Sequence, residues 1–368
     1  MAFGFFKKKK KHHEKEVRSH YLNLKVTNII QEIEDAITIV FEMPENKIDY
    51  ESGQFLTIIR EIDGKEVRRS YSFSSSPFVD SYLAVTIKRV VGGLMSNELN
   101  DNLKVGDIVK VMEPMGAFTT KIDKNNKRHL VMFAGGSGIT PMMSILKSIL
   151  SQEPESMVTL IYSNRNIDSI IFKHELNKLE NEDEGRLRVI HILDEAPVDW
   201  QGYSGLLNHE ILTAVFERMP DWGVDKTTYL MCGPEGLMNN VATLLAKQNI
   251  PGDRIFKESF VTGTIKKEEK AADDNEIVER VVTIIYDDEE YKVTVAPNEF
   301  ILDAALDDGI DVPFSCQSGL CTACRGKCTS GKVKMDEEEG LTETELKEGY
   351  VLNCVAHPLT DDVVIEIE

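Results

Sequence analysis

From about Val17 to Lys124 the chain runs in short apolar stretches, "AITIVFEM", "GQFLTIIR", "RRSYSFSS", "YLAVTIKRV" and "DIVKVMEP", parted by turn signals such as Asp63-Gly64. Such runs, rich in β-branched and aromatic residues, read as strands. One short helix signal, beginning near Ser96, interrupts them. Many short strands with little helix fit a small antiparallel barrel. The rhythm then changes: "HLVMFA", "MVTLIYS", "LRVIHIL" and "TYLMCG" are apolar strands, with helical patterns such as "TPMMSILKSIL" and "SIIFKHELNKLE" between them. That alternation predicts a parallel sheet with helices on both faces. After Phe260, "VTGTIKKEEKAADDNEI" is polar and aperiodic, a linker. A hairpin over "RVVTIIYDDEEYKVTVAP", a helix over "EFILDAALDDG", a cysteine-rich loop and a closing strand "DVVIEIE" follow. The expected division is a basic arm over 1–16, a barrel over 17–125, an α/β parallel-sheet domain over 126–261, a linker over 262–278 and a third domain over 279–368.

At 368 residues, two or three domains can each bury a core without disulfide staples. Hydrophobic residues at 42% and charged ones at 28% suit a globular chain and exclude a disordered one. No run approaches the roughly 18 apolar residues of a membrane span. In "MAFGFFKKKKKHH" the apolar part precedes the basic part, the reverse of a secretory signal, so the expected location is cytoplasmic. The basic arm, with Phe3, Phe5 and Phe6, could touch anionic lipid, although a solvated arm is the plainer reading. A net charge of −20 argues against nucleic-acid binding, which needs basic surface. From Ala271 onward the chain holds 24 acidic and 7 basic residues, an excess of 17 in its last 98 positions. The third domain is a separate electrostatic object.

Within "PFSCQSGLCTACRGKC", Cys316, Cys321 and Cys324 stand in C-x4-C-x2-C order, and Cys354 follows after 29 intervening residues. This is the plant-type [2Fe-2S] ligand spacing. A reducing cytosol disfavours disulfides. Structural zinc would also accept four cysteines, but its frameworks usually pair two close-spaced knuckles, whereas here three ligands share one loop. Ser318 and Gly319 suit a tight path whose backbone N–H groups can reach sulfur. Cys328 fits neither pattern and reads as a packing residue, with a role as alternative ligand the other possibility.

Further signals have nucleotide size. In "RRSYSFSS", alternation puts Arg69 and Tyr71 on one face and Ser70 and Ser72 on the other. An Arg fork suits a pyrophosphate, a ring can cover a flavin and a hydroxyl can reach a ring nitrogen, although a surface strand would read the same way. "VVGGLMSNEL" places Gly92 and Gly93 before a helix that Ser96 could cap, a phosphate-binding arrangement. "VMFAGGSGITPMMSIL" puts Gly135, Gly136, Ser137 and Gly138 between strand and helix, with Thr140 able to cap and Pro141 suited to the first turn. It sits at the first β-to-α crossing of the sheet, where ligands bind. "YLMCGPEGLM" repeats that logic with Cys232, Gly233 and Pro234; a buried small residue is the other reading of Cys232.

Taken in order, "RSYS", "GGLMS", "GGSGITP" and "CGPEGLM" resemble the motifs of the ferredoxin-NADP reductase superfamily. The third domain resembles a plant-type ferredoxin, departing at Gln317 and Ser318, where Arg and Ala are common. The layout is similar to the reductase components of bacterial multicomponent oxygenases, in particular the phenylacetyl-CoA epoxidase reductase type, and the likeness covers essentially everything after residue 17. It implies a flavin barrel, a nucleotide-binding α/β domain and an α+β β-grasp ferredoxin domain. It also implies Arg69, Ser70, Tyr71 and Ser72 on FAD, Gly92, Gly93 and Ser96 on its pyrophosphate, Gly135 to Gly138 and Thr140 on the nicotinamide dinucleotide, and Cys232, Gly233 and Pro234 near its ring. Ser72 and Cys232 would be catalytic, and Cys316, Cys321, Cys324 and Cys354 would hold the cluster. Ser163 and Arg165 in "YSNRN" favour NADPH over NADH, since an Arg there accommodates a 2′-phosphate. The expected function is electron transfer from NADPH through FAD and the cluster to a terminal oxygenase, hydroxylase or desaturase with a basic docking surface. The alternative is a redox-responsive binding protein with a regulatory cluster.

Overall fold

The protein is described here by a computed structural model covering residues 21–45, 47–183, 185–260, 278–297, 299–338 and 340–367. The arm over 1–16 and all but the last residue of the 262–278 linker lie outside the described residues. Six strands build the first sheet: β1 (Tyr21–Ile33), β2 (Ala36–Phe41), β3 (Phe55–Ile62), β4 (Lys65–Ser72), β5 (Leu83–Lys88) and β6 (Ile108–Met112). They pair antiparallel in the order β4-β3-β6-β1-β2-β5. A bridge between Phe73, just past β4, and Val85 of β5 joins the two edges and closes the barrel. Leu24, Val26, Phe41, Leu56, Ile58 and Phe73 fill its core. Strand β1 was absent from the sequence expectation, although Leu24 and Val26 point inward and Asn23 and Lys25 outward as alternation demands.

The helix after β5, α1 (Leu94–Asn102), starts two residues before Ser96. Ser96 therefore does not cap it; Gly93 is the cap residue, and the Ser96 hydroxyl accepts from the Val90 N–H at 3.1 Å.

The second sheet holds β7 (His129–Gly135), β8 (Met157–Asn164), β9 (Leu187–Leu193), β10 (Tyr203–Ser204), β11 (Thr227–Cys232) and β12 (Ile255–Glu258). All are parallel, in the order β10-β9-β8-β7-β11-β12. The strand order reverses between β7 and β11, which places a crevice at their carboxyl ends. Helices α2 (Ile139–Gln152), α3 (Lys173–Glu182), α4 (His209–Phe216) and α5 (Glu235–Lys247) connect them. Thr140 lies inside α2 and donates to the Ser137 carbonyl at 2.8 Å, so it is not the cap, whereas Pro141 does fall in the first turn. Helix α3 begins at Lys173, four residues later than Ser169, because Phe172 adopts a left-handed φ of 60°.

Helix α2 also fastens this domain to the barrel. Ser144 donates to the Ser75 carbonyl at 2.6 Å, Ser148 meets Ser76 at 2.7 Å, and Lys147 pairs with Asp80 at 2.7 Å, all in buried surroundings.

The third domain contains β13 (Arg280–Tyr286), β14 (Glu289–Val295), α6 (Ile301–Asp307), β15 (Arg325–Ser330), β16 (Val333–Met335), α7 (Glu343–Lys347), β17 (Tyr350–Leu352), β18 (Ala356–Pro358) and β19 (Val364–Ile367). Its main sheet runs β14-β13-β19-β15-β17, with β13 and β19 parallel and α6 burying Ile301, Leu302 and Ala305. This is the β-grasp arrangement. The β13-β14 hairpin turns on Asp287 and Asp288, both at positive φ, as a two-residue turn of matching twist requires. No helix among the described residues is long and apolar enough to cross a membrane.

Candidate active site

At the crevice between β7 and β11 the two glycine loops touch. A Cβ built on Gly138 would collide with the Cys232 carbonyl oxygen, so only glycine lets the loops approach this closely. A cleft of about 560 Å³ opens there. Gly135, Gly136, Ser137, Gly233 and Pro234 line one side, Lys88 of the barrel another, and Leu320 and Glu337 come from the cysteine-bearing domain. A second groove, about 410 Å³ on β3 and β6, contains none of the motif residues. Ser163 pairs with Gly135 in the sheet, and the exposed Arg165 follows at the same rim. The Arg165 carbonyl accepts from the Glu195 N–H at 2.7 Å, which ties the segment after β9 to this rim. Partial burial and Glu195 raise Asp194, and the Arg165 charge opposes that rise.

Strand β4 presents two faces. Arg69 is exposed, with Nη1 donating to the Arg68 carbonyl at 2.7 Å, and Tyr71 packs against the barrel core. Burial pushes the Tyr71 hydroxyl up, so it stays protonated. On the other face Ser70 donates to Ser315 of the third domain at 2.8 Å. Ser72 is buried and donates to Glu258 Oε2 at 3.4 Å. Helix α1, which opens at Gly92 and Gly93 and carries no side-chain cap, packs against β3, β4 and β5. Its first-turn N–H groups are available to an anion.

Glu258 went unrecognised in the sequence. It ends β12 directly opposite Cys232. Burial raises its carboxyl to about 8, and the Ser72 hydrogen bond pulls it part of the way back. Cys232 is fully buried, and its thiol is raised by burial and then by Glu258. Ser72, Cys232 and Glu258 thus bring a hydroxyl, a neutral thiol and a protonated carboxyl to the seam between barrel and parallel sheet. No motif marks Glu258; its strand pairing is the only signal.

Cys316, Cys321, Cys324 and Cys354 converge in the third domain. Hydrogen bonds from the Cys321 and Cys354 thiols depress Cys316, with the Ser318 hydroxyl and N–H adding to the effect. The same contacts raise Cys321 and Cys354. The loop makes this path by placing Gln317 and Gly319 at positive φ, and a Cβ on Gly319 would meet Glu337 at 2.7 Å. Cys328 turns elsewhere, with its sulfur donating to the Ser330 carbonyl at 3.1 Å. Among the described residues no three His, Cys, Asp or Glu side chains form a site for a single ion. A two-iron centre makes a different demand, two cysteines per iron with sulfide bridging the pair, and this donor set of four sulfurs and loop N–H groups fits it.

Barrel, parallel sheet and four-cysteine β-grasp together define an oxidoreductase that joins flavin, nicotinamide and iron–sulfur chemistry. Comparison with known proteins agrees. An oxidoreductase FAD-binding domain family matches residues 23–120, an oxidoreductase NAD-binding domain family 132–243, and a 2Fe-2S iron-sulfur cluster binding domain family 284–359. A component of the 1,2-phenylacetyl-CoA epoxidase of Escherichia coli (strain K12) is 33% identical over 352 residues, covering 94% of this chain and 97% of its own. The ferredoxin reductase component of 3-ketosteroid-9-alpha-monooxygenase from Rhodococcus rhodochrous is 34% identical, covering 93% and 96%. Phthalate dioxygenase reductase shares the fold, with a TM-score of 0.58 at 22% identity over 94% of this chain and 98% of that one. The chain belongs to the ferredoxin-NADP reductase superfamily, in the group that carries a C-terminal plant-type [2Fe-2S] domain. It is an electron-transfer oxidoreductase whose cofactors are FAD and a [2Fe-2S] cluster and whose donor is a nicotinamide nucleotide.

Proposed function

We propose that the protein takes electrons from NADPH and delivers them singly to a terminal oxygenase, hydroxylase or desaturase, as the reductase component of a cytoplasmic oxygenase system. The observation that carries this reading is the cleft itself: the glycine loops and Leu320, the residue before Cys321, border one space. FAD supplies the conversion, since it accepts an electron pair as hydride and releases electrons one at a time to a cluster that takes only one. The chain supplies binding, orientation and protons. Arg69 and the α1 N-terminus would hold the flavin pyrophosphate, Tyr71 would cover the ring, and the second glycine loop with Cys232, Gly233 and Pro234 would seat the nicotinamide. Gly135, Gly136, Ser137, Gly138 and Thr140 would bind the dinucleotide, and Ser163 with Arg165 would select its 2′-phosphate. Glu258, protonated at neutral pH, would hold a proton beside the Ser72 hydroxyl and exchange it through that hydroxyl with the flavin edge. Cys316, Cys321, Cys324 and Cys354 would ligate the cluster.

The acidic third domain would meet a basic face on its acceptor, since opposite charge speeds encounter in a salt-sensitive way. Domain limits at 17–125, 126–261 and 279–368 go with this reading. The comparisons give no support to a purely regulatory cluster. Absorption spectroscopy of the purified chain followed by anaerobic NADPH and NADH titration tests it: flavin and cluster bands should both be present and bleach on coenzyme addition. A colourless chain, or one holding zinc without sulfide, would falsify the reading.

A further inference from the structure

The third domain rests on the barrel through a small set of contacts centred on Arg68, the neighbour of the flavin-strand residue Arg69. The Arg68 side chain is only 8% exposed. Its guanidinium pairs with Glu66 at 2.7 Å and with Asp311 of the third domain at 3.4 Å, and it lies 4.2 Å over the Phe314 ring. Tyr21, the first residue of β1, donates to both Asp311 carboxylate oxygens at 2.8 and 2.7 Å, and Lys110 stands 4.2 Å over its ring. Burial and the Asp311 hydrogen bond raise Tyr21 to about 12, which keeps it a donor. Ser70 then joins Ser315, the residue before Cys316, at 2.8 Å. The short stretch holding Asp311, Phe314 and Ser315 therefore leads from the latch point directly into the cysteine loop at Cys316.

We propose that Arg68 and Asp311 form a latch that positions the iron–sulfur domain on the outer face of the flavin strand, and so sets how fast electrons pass from flavin to cluster. Each passage would oxidise the flavin by one electron and reduce the cluster by one, and two passages would return the flavin to its oxidised form with release to solvent of the proton that arrived with the hydride. This rests on the function proposed above. The geometry favours positioning over simple packing. A planar guanidinium sandwiched between an aromatic ring and two carboxylates fixes orientation as well as distance. The latch is also built to open. Asp311 is 59% exposed, so salt can screen it, and Arg68 Nη1 is buried with no hydrogen-bond partner among the described residues. Opening would return that N–H to water and offset part of the lost contact.

The test uses the intact, cofactor-loaded protein and two variants, Asp311→Ala on the exposed side and Arg68→Ala on the buried side. Hydrogen–deuterium exchange reads the seam, and anaerobic stopped-flow absorbance follows flavin and cluster separately after NADPH addition. Amides over 311–315 should exchange at least tenfold faster in both variants. Cluster reduction should slow by roughly tenfold or more, while Asp311→Ala keeps the wild-type rate of flavin reduction. Asp311→Asn, which retains the Tyr21 contact but loses the charge, should fall between. If Asp311→Ala matches wild type in seam exchange, or loosens the seam without slowing the cluster, the latch is wrong. If the wild type itself fails to bleach both chromophores, it is the proposed function that fails.

Discussion

Glu258 keeps its proton to about pH 8, where an ordinary carboxyl loses it near 4.5. Between those values the unfolded chain releases a proton that the folded chain retains, so this group's contribution to stability declines as pH rises through that window. The same proton is the one proposed for the flavin edge. Flavin reduction by coenzyme should therefore fall with a step near pH 8, and Glu258→Gln should remove the step; stopped-flow rates from about pH 6 to 9.5 decide, and an unchanged step would exclude Glu258. Arg165 carries the second residue-level expectation. Losing a charged hydrogen bond to phosphate costs about 1.5–3 kcal/mol, or roughly ten- to a hundredfold in kcat/KM for NADPH. Arg165→Ala should show that loss with NADPH and little change with NADH, and equal losses with both would remove the specificity role. Ser72 and Cys232 were legible because each lies in a linear motif. Glu258 was not, since only the pairing of β12 with β11 and a contact across 186 positions bring it in.

Elements were read from the sequence best where their period was clean. The five barrel runs and the four parallel strands fell where alternation and apolar runs placed them. Helix starts were read less well. Ser96 and Thr140 have cap chemistry, yet both lie inside their helices, because glycines before them already supply the required turn. Phe172 shows why α3 begins late: nothing in an aromatic side chain announces a left-handed backbone, which the local packing imposes. Alternation along β4 separated Arg69 and Tyr71 from Ser70 and Ser72, but it could not say that the second face meets another domain. The abutting loops after β7 and β11 offer a direct check. Gly138→Ala drives a methyl into the Cys232 carbonyl, so the two loops must part. Coenzyme affinity should fall at least tenfold by titration while the iron and sulfide content stays that of the wild type; intact affinity would show that the loops need not touch.

Across the whole molecule the order of carriers can be tested by breaking the last one. Cys321→Ser should leave hydride transfer and ferricyanide reduction intact but abolish cytochrome c reduction, and undiminished cytochrome c reduction would count against obligatory flow through the cluster. The domain layout was legible because each domain carries its own motif and period. The seam was not: Tyr21, Arg68 and Asp311 are ordinary residues whose meaning depends on a contact spanning as many as 290 positions. One strand, β4, stands behind both sides of this arrangement. Because neighbouring residues on a strand face opposite ways, gaining or losing a single residue within it would swap the face that carries Arg69 and Tyr71 with the face through which Ser70 meets Ser315 of the third domain. Evolution can therefore rewrite the letters of this strand one at a time, but an indel there would disturb the barrel's packing at Tyr71 and the seam at Ser70 at once.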